Sequence, residues 1–368
     1  MNGRVGSWWI WLLALAVMLG LMVAGLVLTP SLARAEDAAR LMETGRWREA
    51  RAQLERATAE HPDDARAWSQ LAQVLDGYGE SKSALEAAES AVALDPKSAD
   101  VRYSLAQVVG GQAQKAGILK QMGLAKRFKR EAEAAAALDP KHVRSRFGLV
   151  MFHCNAPGIA GGDKRKARAL CDEIAAIDPV QGWLARAKLA EETKDTTAVE
   201  GYFRKAVAAG NDYEARVTLA SYLLAPHRKE YVEAERLASE AEKIDPERTG
   251  SYVLLAGIYS AQKRAAELDQ VLARAQQNVP WSRLSSYSAA RTILLEGGDL
   301  AKAEQWMRYY LAAEPEPGQP TLAHARWRLG LILEKQGRRP EAITELQTAL
   351  KLKPDLDEAK KDLKRLKG

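Results

Sequence analysis

Residues 65–98 read ARAWSQLAQVLDGYGESKSALEAAESAVALDPKS, and the spacing of apolar residues in this stretch decides the fold. Trp68, Leu71, Ala72 and Leu75 recur at helical intervals and form one apolar stripe. Gly77 and Gly79 interrupt it, and a second stripe of Ala84, Ala88 and Ala91 runs on to Leu94-Asp95-Pro96. A proline disfavours helix at the residue before it and can itself open a new helix. The stretch therefore reads as two helices joined by a short break and closed by a stop.

That stop recurs. Pro62, Pro96, Pro140, Pro179, Pro246, Pro280, Pro315 and Pro354 are separated by 34, 44, 39, 67, 34, 35 and 39 residues. The 67 is two periods with one proline missing, near Gly210-Asn211. Leu138-Asp139-Pro140, Ile177-Asp178-Pro179 and Ile244-Asp245-Pro246 repeat the ending of the first copy. A period near 34 with two helix-length stripes per period is the mark of a stacked helical array.

A second clear copy, residues 325–356, reads ARWRLGLILEKQGRRPEAITELQTALKLKPDL. Both copies resemble the tetratricopeptide repeat, whose signature is W-x2-L-G-x2-Y followed by Ala, then Phe, Ala and Pro. The matching positions are Trp68, Leu71, Ala72, Leu75, Gly79, Ala84, Ala88, Ala91 and Pro96 in the first copy. In the second they are Arg326, Leu329, Gly330, Leu333, Gly337, Ala342, Leu346, Ala349 and Pro354. Residues 249–280 keep Tyr252, Leu255, Ala256, Tyr259, Leu268, Leu272, Ala275 and Pro280 in register. Residues 284–315 keep Gly298 and Ala303 but place Arg291 where a small residue is expected. The resemblance implies an all-α, right-handed superhelical solenoid of about nine hairpins over residues 36–354. Residues 355–368, with Leu356, Leu363 and Leu366 as a stripe among lysines, form a C-terminal capping helix.

Composition agrees with a soluble helical array. The chain is 47% hydrophobic and only 7% aromatic, too ordered for a disordered chain and too poor in aromatics for a barrel. The net charge is +6, with Lys+Arg 54 against Asp+Glu 48, and the two signs are interspersed, which is not a nucleic-acid footprint. Residues 1–35 differ from the rest. From Trp8 to Leu28 there is no charged residue, and 21 residues at about 1.5 Å each span roughly 30 Å, the thickness of a bilayer core. Pro30 then stops the segment, and Ala33-Arg34-Ala35 precedes Glu36 as a signal-peptidase site would. Residues 1–35 are a cleaved signal peptide, cut between Ala35 and Glu36, or an uncleaved anchor with Trp8, Trp9 and Trp11 at the interface. Either way Arg4 stays inside, and the rest of the chain is exported to the periplasm, soluble or tethered to the inner membrane.

Two copies are too long. One carries about ten extra residues between Val109 and Gly123, which lengthen its helices or form a projecting loop. The other inserts Asn155–Asp163 between its helices, where glycines followed by Lys164, Arg165 and Lys166 form a structural turn or an anion-binding one. Cys154 and Cys171 flank that insertion and are either disulfide-bonded or two free core thiols. Lys126, Arg127, Lys129 and Arg130 form a basic cluster, as do Lys164–Lys166. The two could merge on the convex side as a patch for anionic lipid, or remain solvated helix faces.

No catalytic constellation can be assembled. The five histidines are scattered, and neither H-E-x-x-H nor G-x-S-x-G occurs, so neither enzyme, metal nor cofactor is expected. The resemblance implies instead that the first helix of each hairpin lines a concave groove for a protein or peptide. Its groove positions fall on Arg66, Gln73, Tyr103, Arg144, Phe147, Met151, Trp327, Leu331 and Glu334. Each of these could equally pack between hairpins. Members that clamp a terminal carboxylate use K-x-x-x-N, which is absent. The expectation is a cell-envelope scaffold binding protein partners; the other reading is a membrane-tethered organiser acting by self-association or lipid contact.

Overall fold

The computed structural model describes residues 30–368, with side chains from Asp37 onward except at 118 and 119. The uncharged segment Trp8–Leu28 and Arg4 lie outside the described residues. The described part consists of nineteen α-helices and one 3₁₀ turn, without a strand. They pair as nine hairpins: α1 (Pro30–Glu43) with α2 (Trp47–Glu60), α3 (Ala65–Gly77) with α4 (Ser81–Leu94), α5 (Ala99–Lys115) with α6 (Ile118–Leu138). Then come α7 (Val143–Asn155) with α8 (Lys164–Ile177), α9 (Pro179–Glu192) with α10 (Thr196–Ala209), and α11 (Tyr213–Leu223) with α12 (Tyr231–Ile244). The last are α13 (Thr249–Ala261) with α14 (Ala265–Asn278), α15 (Leu284–Glu296) with α16 (Leu300–Leu311), and α17 (Leu322–Lys335) with α18 (Arg339–Leu352). Helix α19 (Asp357–Lys367) caps the end. Successive first helices touch one another, whereas successive second helices stand apart, so the stack curves with its first helices inside. Pro30 opens α1, and a cut between Ala35 and Glu36 would fall within α1. No described helix is long and apolar enough to cross a membrane.

Small side chains set the spacing inside each hairpin. Ala38, Ala72, Ala106, Val150, Ala190, Ala220, Ala256 and Ala290 occupy one position of successive first helices, and all are buried. The second helices answer with Ala50, Ala84, Ala167, Ala234, Ala303 and Ala342, all without solvent exposure. At Gly330 a Cβ would stand 3.2 Å from the carbonyl oxygen of Ala342. Between hairpins the approach is closer still: a Cβ on Gly182 in α9 would lie 2.4 Å from Cα of Ala175 in α8. Larger residues then fill the layers between hairpins, among them Leu219, Leu237, Tyr252, Leu255 and Met307.

The signature's tryptophan position has a second task. Trp68 Nε1 donates to the carbonyl of Pro62 at 3.0 Å, Arg102 Nε to that of Pro96 at 3.0 Å, and the Tyr252 hydroxyl to that of Pro246 at 2.9 Å. Each donor reaches six residues back and satisfies a carbonyl in the turn between hairpins, a bond worth about 1 kcal/mol. Arg216 makes the same bond to Gly210 at 3.2 Å, where the proline is missing. Arginine serves here because its guanidinium can also reach an acid on the second helix, as Arg216 does with Glu240.

Both long copies are resolved by the structure. In the third hairpin the extra residues lengthen the helices, α5 to 17 residues and α6 to 21. In the fourth, Asn155–Asp163 forms a turn that consumes its own donors. The amides of Ala160 and Gly162 donate to Pro157 O, that of Gly161 to Gly158 O, and that of Asp163 to His153 O. The Asp163 carboxylate caps α8 by accepting from the amide of Arg165. The insertion is thus a structural turn. Cys154 and Cys171 are free thiols, so the bonded alternative is not the one the structure holds. Burial pushes the Cys171 thiol up to about 11. His153, also buried, shares a hydrogen between Nδ1 and Gly161 O at 3.0 Å, and burial holds its imidazole below the ordinary 6.5.

The superhelix closes on itself. The turn of the first hairpin meets the turns between the sixth and ninth hairpins. Arg40 Nη1 pairs with Asp245 at 2.8 Å and its Nη2 with Glu247 at 2.9 Å. Arg48 holds the buried carboxylate of Glu316 through both its backbone amide and Nε, each at 3.1 Å, and also reaches Glu314 O. Trp281 Nε1 donates to Thr44 O at 3.3 Å, with the Arg46 guanidinium 4.8 Å above the Trp281 ring.

Three outcomes follow. Replacing Gly182 with Ala should destabilise the chain by about 1–3 kcal/mol in urea titration, despite the gain in helix propensity, because the clash is with backbone. The double replacement Arg40→Ala and Arg48→Ala should raise the radius of gyration measured by small-angle scattering. High salt should move the wild type the same way, since exposed ion pairs are screened. Unfolded His153 takes up its proton near 6.5, the buried imidazole only at lower pH. Stability should therefore fall as pH drops below 6.5 until the folded imidazole also protonates. His153→Asn, which can keep a donor toward Gly161, should flatten that limb in pH-dependent unfolding.

Candidate functional site: a polar strip on the concave face

The first helices of hairpins two to four carry a connected polar strip. Asp64, Ser98 and His142 cap α3, α5 and α7, which fixes where each helix starts and so which residues face inward. From α7, Arg144 Nη2 reaches Gln107 Oε1 on α5 at 3.0 Å and Gln73 Oε1 on α3 at 3.4 Å. Gln73 Nε2 donates to Ser104 Oγ at 3.4 Å, and Ser104 Oγ donates to Ser69 O at 2.8 Å, which ties the second hairpin to the third. The guanidinium of Arg144 also lies 5.5 Å from the centre of the Tyr103 ring.

Asp100 is the hub of this strip. His142 accepts the Ser145 amide at Nδ1, which leaves the Nε2 hydrogen to be donated to Asp100 Oδ1 at 3.2 Å. Arg144 approaches the same oxygen at 3.8 Å. The hydrogen bond from His142, with Arg144 and Arg66 adding their charge, holds the Asp100 carboxyl below the usual carboxylate range. Arg66, Gln73 and Arg144 thus lie near one another, with the Tyr103 ring beneath Arg144. Arg66 and Arg144 are exposed and present two guanidinium groups to the concave side. The sequence singled out the arginines but missed the role of His142, whose spacing three residues before Ser145 was the available signal of a cap.

Other groove candidates are spent on packing. Tyr103 is buried, and burial pushes its hydroxyl up. Phe147 packs into the cluster of Val150, Cys171 and Ile174. Met151 is half-buried beside it on α7. At the far end, Leu331 is half-buried, and Trp327 and Glu334 do not face an open groove. Trp327 Nε1 donates to Asp362 Oδ2 at 2.8 Å, and Glu334 pairs with Arg365, both on α19. The capping helix occupies the place of a tenth first helix and covers them. Elsewhere along the concave side, Val217, Val253, Gly257 and Ser288 leave a half-buried, weakly polar lining. Among the described residues, no three His, Cys, Asp or Glu stand close enough to hold a metal ion.

Two segments match the family described as tetratricopeptide repeat: residues 38–99 and residues 323–356. No curated protein matches the chain. Among solved structures, yeast Tom70 is similar at 16% identity and a TM-score of 0.46, over 92% of this chain and 88% of that one. TTC0263, a thermophilic TPR protein of Thermus thermophilus, is similar at 21% identity and a TM-score of 0.47, over 53% of this chain and 99% of that one. Helix pairing, the small-residue positions and both family matches agree: the chain carries tetratricopeptide repeats within an all-helical solenoid of that type.

Proposed function

We propose that this chain is a non-enzymatic scaffold of the bacterial cell envelope that holds a partner protein on the concave face of hairpins two to four. The observation that carries this reading is the strip of Arg66, Asp100 and Arg144, supported on Gln73 and Gln107. Both guanidinium groups are exposed, that of Arg144 is held by Gln107 beside Asp100, and such groups recognise carboxylates and carbonyls of an extended segment. A preformed strip loses little entropy on binding, which favours it as an anchor. The envelope setting rests on the uncharged segment Trp8–Leu28 and the small residues before Glu36. The clasp between the first hairpin and the turns near Asp245 and Glu316 bounds the groove on one side, so a partner would enter from the open side of the turn.

The test is photo-crosslinking in cells from position 66, with position 86 on the outer helix α4 as control. Envelope proteins captured from position 66 alone, and lost by at least tenfold with Arg144→Glu, are the expected result. Equal capture from both positions, or capture indifferent to Arg144→Glu, would remove the groove reading.

A further inference from the structure

The positive charge of the chain is concentrated in one stretch. Residues 115–168 hold thirteen Lys and Arg against four Asp and Glu, a net +9 in a chain whose total is +6. Nine of the thirteen lie on α6 and the first turns of α8, which form one edge of the solenoid, whereas Arg144 belongs to the concave strip. The middle of α6, the turn Gly158–Ala160 and the first turn of α8 come together at this edge, since α6 packs on that turn, the Lys129 ammonium lies beside Gly161, and the charges of Lys129 and Lys166 both bear on the His153 ring. The two basic clusters read from the sequence therefore do meet.

Part of this charge is already used. Arg127 pairs with Glu89 at 2.6 Å, Lys129 with Glu133 at 3.4 Å, Arg130 with Glu131 at 2.8 Å, and Arg165 with Asp163 at 3.7 Å. Lys120, Lys126, Lys164 and Lys166 are exposed, and none has an acidic partner within 4.0 Å among the described residues. Among them Ile159 projects from the tip of the turn, 85% exposed, and Met122 is exposed on the first turns of α6.

An apolar tip on an edge that carries unpaired lysines fits one kind of surface. A nucleic acid would pair with the lysines but give Ile159 nothing apolar, and the aromatic rings nearby, Phe128 and Phe152, are stacked on each other inside. A bilayer satisfies both chemistries at once, because lysine stems lie along the apolar boundary while their ammonium groups meet phosphates. We propose that this edge rests on an anionic membrane, with Ile159 entering the headgroup boundary and Lys120, Lys126, Lys164 and Lys166 on the phosphates. The strip on the concave face is not part of this contact and stays open to a protein.

Hydrogen exchange on the full chain in lipid nanodiscs tests this, because a readout local to residues 156–166 is separate from any lipid contact of residues 1–29. Exchange of residues 156–166 should slow by about tenfold or more in discs containing phosphatidylglycerol and not in discs of phosphatidylcholine alone. At roughly fivefold per lysine, the triple replacement Lys126→Gln, Lys164→Gln and Lys166→Gln should remove that protection. Ile159→Ser should weaken it while leaving its salt dependence in place. Equal exchange in the two kinds of disc would overturn the proposal. So would protection by soluble polyglutamate without lipid, which would assign the edge to an acidic protein.

Discussion

The structure depends on how closely two helices of a hairpin can approach. Alanine at matched positions of first and second helices, from Ala38 against Ala50 to Ala72 against Ala84, removes the side-chain bulk that would hold them apart. Close hairpins leave wedge-shaped gaps toward their neighbours, and leucine, tyrosine and methionine fill these. Since every layer is built this way, stability accrues layer by layer, and the chain needs no single central core. The positions that set the approach tolerate least change: where glycine stands, as at Gly330, the opposing backbone leaves no room for ordinary slack.

Curvature follows from the same constraint, and so does the division of labour between faces. First helices touch along the inner side and second helices spread on the outer, so polar residues of first helices converge while those of second helices diverge. Convergence lets Arg144 reach residues 37 and 71 positions away and gathers Arg66, Arg144 and His142 around the Asp100 carboxylate. Divergence leaves outer charges in pairs within one helix, such as Arg236 with Glu233 and Glu240. Such exposed pairs contribute little stability singly, and their main effect is to keep the outer face soluble. The lysine edge around Ile159 departs from that pattern, because its charges outnumber the acids within reach.

Closure of the superhelix is a further product of curvature. The first hairpin comes round to meet turns more than two hundred residues further on, and Arg40, Arg48 and Trp281 hold it there. A buried carboxylate such as Glu316 would be costly without a partner, so the Arg48 contact ties the first hairpin to the turn before α17.

Read alone, the sequence determined the architecture. Prolines near a period of 34, paired helical stripes and recurring alanines specified hairpins, their number and the capping helix, because these are local patterns repeated along the chain. It also located the arginines of the strip. It could not separate groove from packing for Tyr103, Phe147 and Trp327, since a turn of one residue on a helix exchanges the two faces. Nor could it foresee that α19 covers Trp327 and Glu334, or that Cys154 and Cys171 stay free thiols. The Asp100 hub, the clasp at Arg40 and Arg48, and the meeting of the two lysine clusters around Ile159 were decided only by the tertiary structure. Each joins residues from different hairpins, and their separation depends on the accumulated curvature of the stack, which no local pattern encodes.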